Sequence, residues 1–406
     1  MDEGGVIDVV YFDLMKAFDK VPHLKLQQKI EAYGITDKAS RWIKSFLSNR
    51  RQRVLVNGEI SEWTAVTSGV PQGSILGPIL FILYINDLPS KVHCNITLFA
   101  DDTKLYTSIN TAQDHMMLQE DIDCLVEWSN IWNLSFHPEK CKVMRIGSNK
   151  EDLYNYSMNG NILNYTEEEC DLGLTIDCKL NFESHISSKI NKANKIMGLI
   201  RRSFTFLDKH TFNKLFKAFV RPNLEYANTV WDAKLKRTKN LIENVQRRAT
   251  KYLPCCKDMN YSERLVYLNL PCLVYRKIRG DMIEVYKLTH DHYDEDVDNP
   301  ITPLIETARR TRGHTYKIKK TTKRTTRTIR RRFLTNRCVN MWNNLPEEAV
   351  TAPSVKSFEM RLDKYWSKFD IMFNYDKCIR FEEQMISGLG TLNLTVDNIV
   401  ELDLDI

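Results

Sequence analysis

The sequence predicts an α+β or α/β sheet domain, then a mostly helical module, then a small basic C-terminal region. Three observations carry this. Over residues 1–180 strand-like apolar runs are mixed with helix-like stretches, the pattern of a sheet covered by helices. From residue 181 to about 292 apolar positions settle into three- and four-residue spacing. One stretch, residues 309–332, carries the whole positive excess of the chain. With 406 residues, 43% hydrophobic and 27% charged, there is material for two or three domains at roughly 100–200 residues each.

Taken in order, residues 6–14 form an apolar strand run that ends by presenting one carboxylate, Asp13. A carboxylate leaving a buried strand needs a cation, whether a metal or a Lys/Arg partner; a strand-end Asp that merely caps a turn is the plainer alternative. Helix-like stretches follow at 24–33 and 38–47, a strand-like run at 52–57, and a Gly/Pro-rich turn at 68–78 that runs directly into a helix. There Ser74 is placed to cap the helix and the helix start to favour an anion such as phosphate, against the alternative of a tight loop ahead of a buried helix. Residues 96–100 and 103–106 flank the adjacent acids Asp101 and Asp102, which reads as a hairpin with both acids at its tip. Adjacent aspartates arise by chance in a chain this long, so the hairpin setting is what raises their interest. Asp13 together with Asp101 and Asp102 supplies carboxylates from different strands, the arrangement that two divalent ions require to clamp both oxygens of a phosphoryl transfer. A helix at 111–132 and a strand at 142–146 complete the domain.

In the helical module, Ile186, Ile190, Ala193, Ile196, Met197 and Ile200 mark one apolar stripe. Residues 291–303 are acidic and contain proline, reading as a linker. The basic segment then holds Arg309, Arg310, Arg312, Lys317, Lys319, Lys320, Lys323, Arg324, Arg327, Arg330, Arg331 and Arg332 without one acid. Outside it the chain has more acidic than basic residues, although its formal charge is +6. Such density repels itself unless a polyanion neutralises it, which favours nucleic-acid contact over a solvated run; nuclear targeting through the same cluster is a further expectation. Apolar periodicity returns at 333–342 and 355–366, and an acidic tail follows residue 387.

Residues 1–5 lack the charged-then-apolar layout of a secretion signal, and the longest apolar stretch, 75–88, contains Asn86 and Asp87. Neither export nor membrane spanning is predicted. Ten cysteines are scattered without a C-x-x-C pair or zinc-finger histidines, as expected of reduced intracellular thiols rather than disulfides or a structural metal.

The three acidic and Gly-rich segments, in this order, resemble motifs A, B and C of a reverse transcriptase palm, in the wording of non-LTR (LINE-type, jockey-like) retrotransposons. The resemblance rests on FDLMKAFDKVPH (12–23), SGVPQGSILGP (68–78), FADD (99–102) and LSFHPEKCK (134–142). It continues through 171–173 and 185–186, VRPNLEYA (220–227) and VQRRAT (245–250) to WNNLP (342–346), and so covers nearly the whole chain. It implies an α+β fold: a palm with a ferredoxin-like sheet and helices on one face at 1–180, and a helical thumb at 181–292. A linker at 293–308, a basic C-terminal region at 309–386 and an acidic tail at 387–406 complete the expected organisation.

By the same resemblance Asp13 and Asp101 would bind two magnesium ions, with Mn2+ able to substitute, Asp102 beside them and the Leu14 carbonyl as a backbone ligand. Phe18 would be the steric gate that rejects a 2′-hydroxyl, or an ordinary core aromatic. Gln72 and Gly73 would contact the incoming nucleotide and template base. Lys140 would assist the leaving pyrophosphate, with His137 and Cys141 departing from the usual residues around it. Leu172 and Gly173 resemble the primer grip. Lys189, Lys192, Lys195, Arg201 and Arg202 would meet duplex phosphates or form a solvated face. The implied activity is RNA-directed DNA polymerisation with an RNA template, a DNA primer and dNTPs, in nucleus and cytoplasm. Because only twelve residues precede Asp13, a truncated copy lacking fingers and endonuclease, of weak or absent activity, is expected. A non-catalytic nucleic-acid-binding remnant and a product that never folds stably are the alternatives.

Overall fold

A computed structural model describes residues 5–147, 153–294, 299–301, 314–320 and 328–387. The chain divides into two compact units, one holding residues 3–169 and 177–179, the other residues 170–176 and 180 onward.

The first unit is built on a five-stranded sheet. Strands β1 (Val6–Phe12), β2 (Asn95–Phe99), β3 (Asp102–Ile109), β4 (Lys142–Ile146) and β5 (Asn164–Tyr165) lie in the order β5-β4-β1-β3-β2. All neighbours are antiparallel except β5 on β4. Central β1 pairs Val10 with Leu105 on one side and with Val143 on the other, and all three side chains are fully buried. Their face of the sheet is covered by the helices His23–Ala32, Leu76–Ile85 and Ala112–Trp132 through Leu26, Ile30, Leu80, Phe81, Ile122 and Leu125. The period-2 pattern of the strands and the helical spacing between them therefore meet in a single core. Thr111 and Asp114 close a capping box at the start of Ala112–Trp132, and Asn133 ends that helix in the left-handed conformation at φ 54°.

Between residues 51 and 65 the expected strand is broken into two-residue ladders, Arg51–Gln52 with Thr64–Ala65 and Leu55–Val56 with Glu59–Ile60, all exposed. The hairpin expected to carry both acids at its tip also differs in detail. Phe99 pairs with Asp102, so Ala100 and Asp101 form the loop and Asp102 opens β3.

The second unit is helical, and its core extends from Ala193 to Met385. The helices Glu183–Ser203, Lys236–Thr250 and Leu273–Thr289 share that core with Val355–Trp366 and Tyr375–Ser387. The thumb-like module and the described C-terminal region are thus joined, where the composition suggests a linker between two bodies. Buried ion pairs stitch them together: Arg337 Nη2 to Asp281 Oδ1 at 2.7 Å, Arg332 Nη1 to Asp232 Oδ2 at 2.8 Å, and Lys239 Nζ to Glu382 Oε2 at 2.6 Å.

Glu243 is fully buried in this unit, accepting hydrogen bonds from the Tyr261 hydroxyl and, at 2.9 Å, from the Leu273 N–H. Burial pushes its carboxyl from 4.5 up to about 7. The folded chain therefore holds a proton that the unfolded chain releases. The stabilisation is complete below the unfolded value and is lost as pH rises toward about 7. Relative to Glu243→Gln, which carries no such group, the parent is expected to lose denaturant stability across that window; parallel curves for the two chains would refute the assignment.

Candidate active site

The site grows from the C-terminal end of β1. Phe12 pairs with Thr103 of β3, so Asp13, the next residue, leaves the strand beside the position where Asp102 begins β3, and Asp101 sits in the adjoining loop. Three acids far apart in sequence are brought to one end of two neighbouring strands. Asp13 and Asp101 are half-buried and Asp102 is exposed.

A second strand-like passage closes around Asp13. Leu14 bridges Phe136, the His137 N–H donates to the Asp13 carbonyl at 2.8 Å, and the Met15 N–H donates to the Ser135 carbonyl at 2.9 Å. These ladder bonds use the carbonyls of Asp13 and Ser135 rather than that of Leu14. The Asp13 N–H points at Cys141 Sγ, 3.4 Å away, and burial pushes that thiol's pKa up. The tight turn from His137 to Cys141 brings Lys140 over the site, its Nζ 3.2 Å from Asp13 Oδ2. That Oδ2 is itself inaccessible and makes no hydrogen bond; Lys140 neutralises it as an ion pair only. Among the described residues no group of three or more His, Cys, Asp or Glu side chains is drawn together closely enough to hold a metal ion.

The Gly-rich loop is sewn to the segment that follows Asp13. The Val70 N–H donates to the Phe18 carbonyl at 2.7 Å, the Gly69 N–H to the Val21 carbonyl at 2.8 Å, and Ser68 Oγ to the Asp19 carbonyl at 2.9 Å. Gln72 Nε2 donates to Asp19 Oδ1 at 3.0 Å. Gly69 has φ +89°, and a Cβ there would lie 2.6 Å from the Asp19 carbonyl oxygen; at Gly77 one would lie 2.3 Å from that of Pro71. Both close approaches exclude any larger residue. Ser74 Oγ accepts from the Gly77 N–H at 2.9 Å, while the N-cap position of the helix Leu76–Ile85 falls one residue later, on Ile75, which supplies no side-chain cap. Phe18 is half-buried and stacks on Phe81 at 4.5 Å between ring centroids, with 22° between planes. Gly73, at φ +82°, has open space around its Cα.

In the second unit, Lys195 and Arg202 line an open groove on the helix Glu183–Ser203 with Asn191, Asn194 and Gly198, and Lys192 and Arg201 are exposed. Lys189 Nζ donates to the Gly173 carbonyl at 2.9 Å. Of the basic segment, Lys319 and Arg331 are exposed, Lys320 and Arg330 are half-exposed, and Arg332 is engaged by Asp232. Arg309, Arg310, Arg312, Lys323, Arg324 and Arg327 lie outside the described residues. Among the described residues all ten cysteines are free thiols, and no helix is long and apolar enough to cross a membrane.

One functional group escapes a reading of the sequence. Asp8, within the unit's central apolar run, is fully buried and paired with Arg145 directly across from it on β4. A lone acid at an inward position of an apolar strand is the signal that could have found it.

A family model described as reverse transcriptase (RNA-dependent DNA polymerase) matches residues 4–199. The RNA-directed DNA polymerase from mobile element jockey of Drosophila funebris is 28% identical over 333 residues, covering 77% of this chain and 35% of the relative. The probable RNA-directed DNA polymerase from transposon BS of Drosophila melanogaster is 27% identical over 278 residues, covering 63% and 30%. The chain thus spans about a third of the length of the curated relatives it matches. Among solved structures, telomerase from Candida tropicalis in complex with a fragment of telomeric RNA aligns with TM-score 0.38 at 12% identity, over 68% of this chain and 43% of that one.

Proposed function

We propose that this chain is an RNA-directed DNA polymerase, because residues 4–199 match the reverse transcriptase family model and the chain is similar to the polymerases of mobile elements such as jockey. It would extend a DNA primer on an RNA template, the primer 3′-hydroxyl attacking the α-phosphate of a dNTP and expelling pyrophosphate. The observation that carries the reading is the register of β1 against β3, which sets Asp13 beside Asp102 with Asp101 in the adjoining loop.

Divalent metal use is general to the family. The finer proposal is that Asp13, Asp101 and Asp102, with the Leu14 carbonyl, hold two magnesium ions, manganese substituting. What supports the fit is a donor set made only of oxygen, suited to a hard cation, and Asp13 Oδ2, an inaccessible oxygen without a hydrogen bond. When bound, such ions would supply charge neutralisation to the attacking and leaving oxygens.

The chain's own residues do the rest by position. Phe18, held by its stack on Phe81, would present a fixed wall to the sugar of the incoming nucleotide. Lys140 Nζ, beside Asp13, would lend positive charge and a proton to the departing pyrophosphate. Gln72, steadied by Asp19, and Gly73 would face the nucleotide and template base.

One observation favours a second reading. Lys140 already neutralises Asp13, and no metal-sized acidic cluster occurs among the described residues, as suits a nucleic-acid-binding remnant without catalysis. A single assay separates the two. The 406-residue chain, given a DNA primer on an RNA template with dNTPs, is expected to extend the primer in Mg2+ and to stop when the ion is chelated. RNA binding without extension in either Mg2+ or Mn2+ would overturn the polymerase reading and select the remnant.

A further inference from the structure

We propose that the second unit carries a binding site for a doubly charged phosphate group, formed by Lys217, Arg221 and Arg276 around Glu225. Residues 209–225 run as three consecutive helical stretches, Lys209–Leu215, Phe216–Val220 and Arg221–Glu225. Pro222 has no N–H to give to a preceding carbonyl. Just ahead of it the helix widens into a π-turn, in which the Arg221 N–H reaches back five residues to the Phe216 carbonyl. Such turns occur frequently at functional sites. Lys217 lies inside this one and Arg221 opens the stretch that follows, while Arg276 comes from the helix Leu273–Thr289.

Glu225 holds the two guanidiniums together. It accepts from Arg276 Nη2 at 2.9 Å and from Arg276 Nε, and Arg221 Nε stands 3.6 Å from its Oε2. Among the described residues no other acid pairs with either arginine, and Lys217 has no acidic partner. Three cations thus share one carboxylate, a surplus of two positive charges. Burial, with Arg221 and Arg276 as neighbours, pushes the Lys217 pKa down; burial and Arg276 do the same to Arg221 against the opposing pull of Glu225. The cluster disfavours its own charge until an anion joins it.

The donors still open fix the chemistry of that anion. Arg276 Nη1, both terminal nitrogens of Arg221 and Lys217 Nζ make no hydrogen bond among the described residues, and neither does the inaccessible Arg221 Nε. The Arg221 and Arg276 side chains are 19% and 27% exposed, so a solute can reach them. A tetrahedral dianion matches both the surplus charge and the number of donors, and guanidinium forks suit phosphate oxygens. A phosphodiester within a nucleic-acid chain carries a single charge. The match is therefore to a phosphate with a free end, either inorganic phosphate or the phosphorylated 5′ terminus of an oligonucleotide.

The test needs neither metal nor dNTPs, so it stands or falls separately from primer extension. The full chain is titrated calorimetrically, in chelator and at constant ionic strength, with inorganic phosphate, with a 5′-phosphorylated oligothymidylate and with the same oligonucleotide bearing a 5′-hydroxyl. Inorganic phosphate is expected to bind, and the 5′-phosphate to tighten oligonucleotide binding by about tenfold if the terminus is the source of the ligand; binding of inorganic phosphate without that difference assigns the site to the free ion. Lys217→Gln should weaken phosphate binding by about tenfold, the effect of losing one charge-assisted hydrogen bond, and Lys217→Arg should restore most of it. Because Lys217 has no partner, Lys217→Gln should melt at the parental temperature when phosphate is absent. Arg221→Gln, checked by the same melt, should lose affinity to a similar degree. Equal phosphate affinity in the parent, Lys217→Gln and Arg221→Gln would overturn the proposal. So would the two oligonucleotides binding alike while inorganic phosphate does not bind.

Discussion

An Asp101→Asn chain is expected to lose Mg2+-dependent primer extension by about a thousandfold or more while folding as the parent does. Asp101 lies in the two-residue loop between β2 and β3, half-buried and outside any ladder pair. Asn keeps its shape and its tolerance of turn conformations, so the change in stability should stay within about 0.5 kcal/mol, as for surface positions generally. What the substitution removes is one negative charge from the three acids gathered at the end of β1 and β3. In a site that works by holding charge in place, removing one such group typically costs about 10²–10³ in rate, and a metal ligand lies at or beyond the upper end. A thousandfold corresponds to about 4 kcal/mol of transition-state stabilisation. Extension rates and thermal melts of the two chains, measured side by side, decide the matter. If Asp101→Asn extends a primer at the parental rate, these acids do not hold the catalytic metals.

The parts of this site that are legible in the sequence are those fixed by local chemistry. An apolar run ending in Asp13, a Gly/Pro turn running into a helix, and two strand-like runs around adjacent acids each announce their own secondary structure. All three lie close to their expected places: Val6–Phe12, Leu76–Ile85, and Asn95–Phe99 with Asp102–Ile109. The glycines are legible as glycines, but the reason for two of them is not. Gly69 meets the backbone of Asp19 and Gly77 that of Pro71, and neither approach can be read without the fold. Lys140 is expected at the leaving group, whereas its place on Asp13 depends on the Leu14–Phe136 bridge, a pairing across more than a hundred residues that no periodicity encodes.

The largest departure lies in the second unit. A run of acidic residues and proline suggests a boundary near residue 300, and composition is a fair guide to where chain meets solvent. It says nothing about buried charges that pair on either side. Asp232 and Asp281 are satisfied by Arg332 and Arg337, so one of the arginines expected to meet phosphate serves instead as an internal counter-ion. Charge density alone cannot distinguish a guanidinium that faces a polyanion from one that faces a buried carboxylate.

Asp8→Asn is expected to destabilise the first unit by about 3–5 kcal/mol, the usual effect of removing one partner from a buried pair. Asp8 is fully buried in the central strand. It accepts from Arg145 Nε at 2.8 Å, from Arg145 Nη2 at 2.7 Å and from the Tyr156 hydroxyl at 3.0 Å. His115 Nδ1 stands 3.7 Å from its Oδ2. Asn has the same volume but no charge, so the Arg145 guanidinium would be left buried against a neutral amide. Arg145→Met should be nearly as severe for the mirrored reason. The double change to Asp8→Leu with Arg145→Met should cost clearly less than the two single losses combined, because apolar groups of similar volume need no partner. Urea denaturation of the four chains measures this. A loss below about 1 kcal/mol for Asp8→Asn would mean that water reaches the pair and that the network is not what orders the sheet. The same experiment separates folding from chemistry at this site. Asp13 leaves the very strand that Asp8 anchors, so extension by Asp8→Asn should fall only with the folded fraction and return when an excluded osmolyte restores folding. Extension by Asp101→Asn should stay absent however completely the chain is folded.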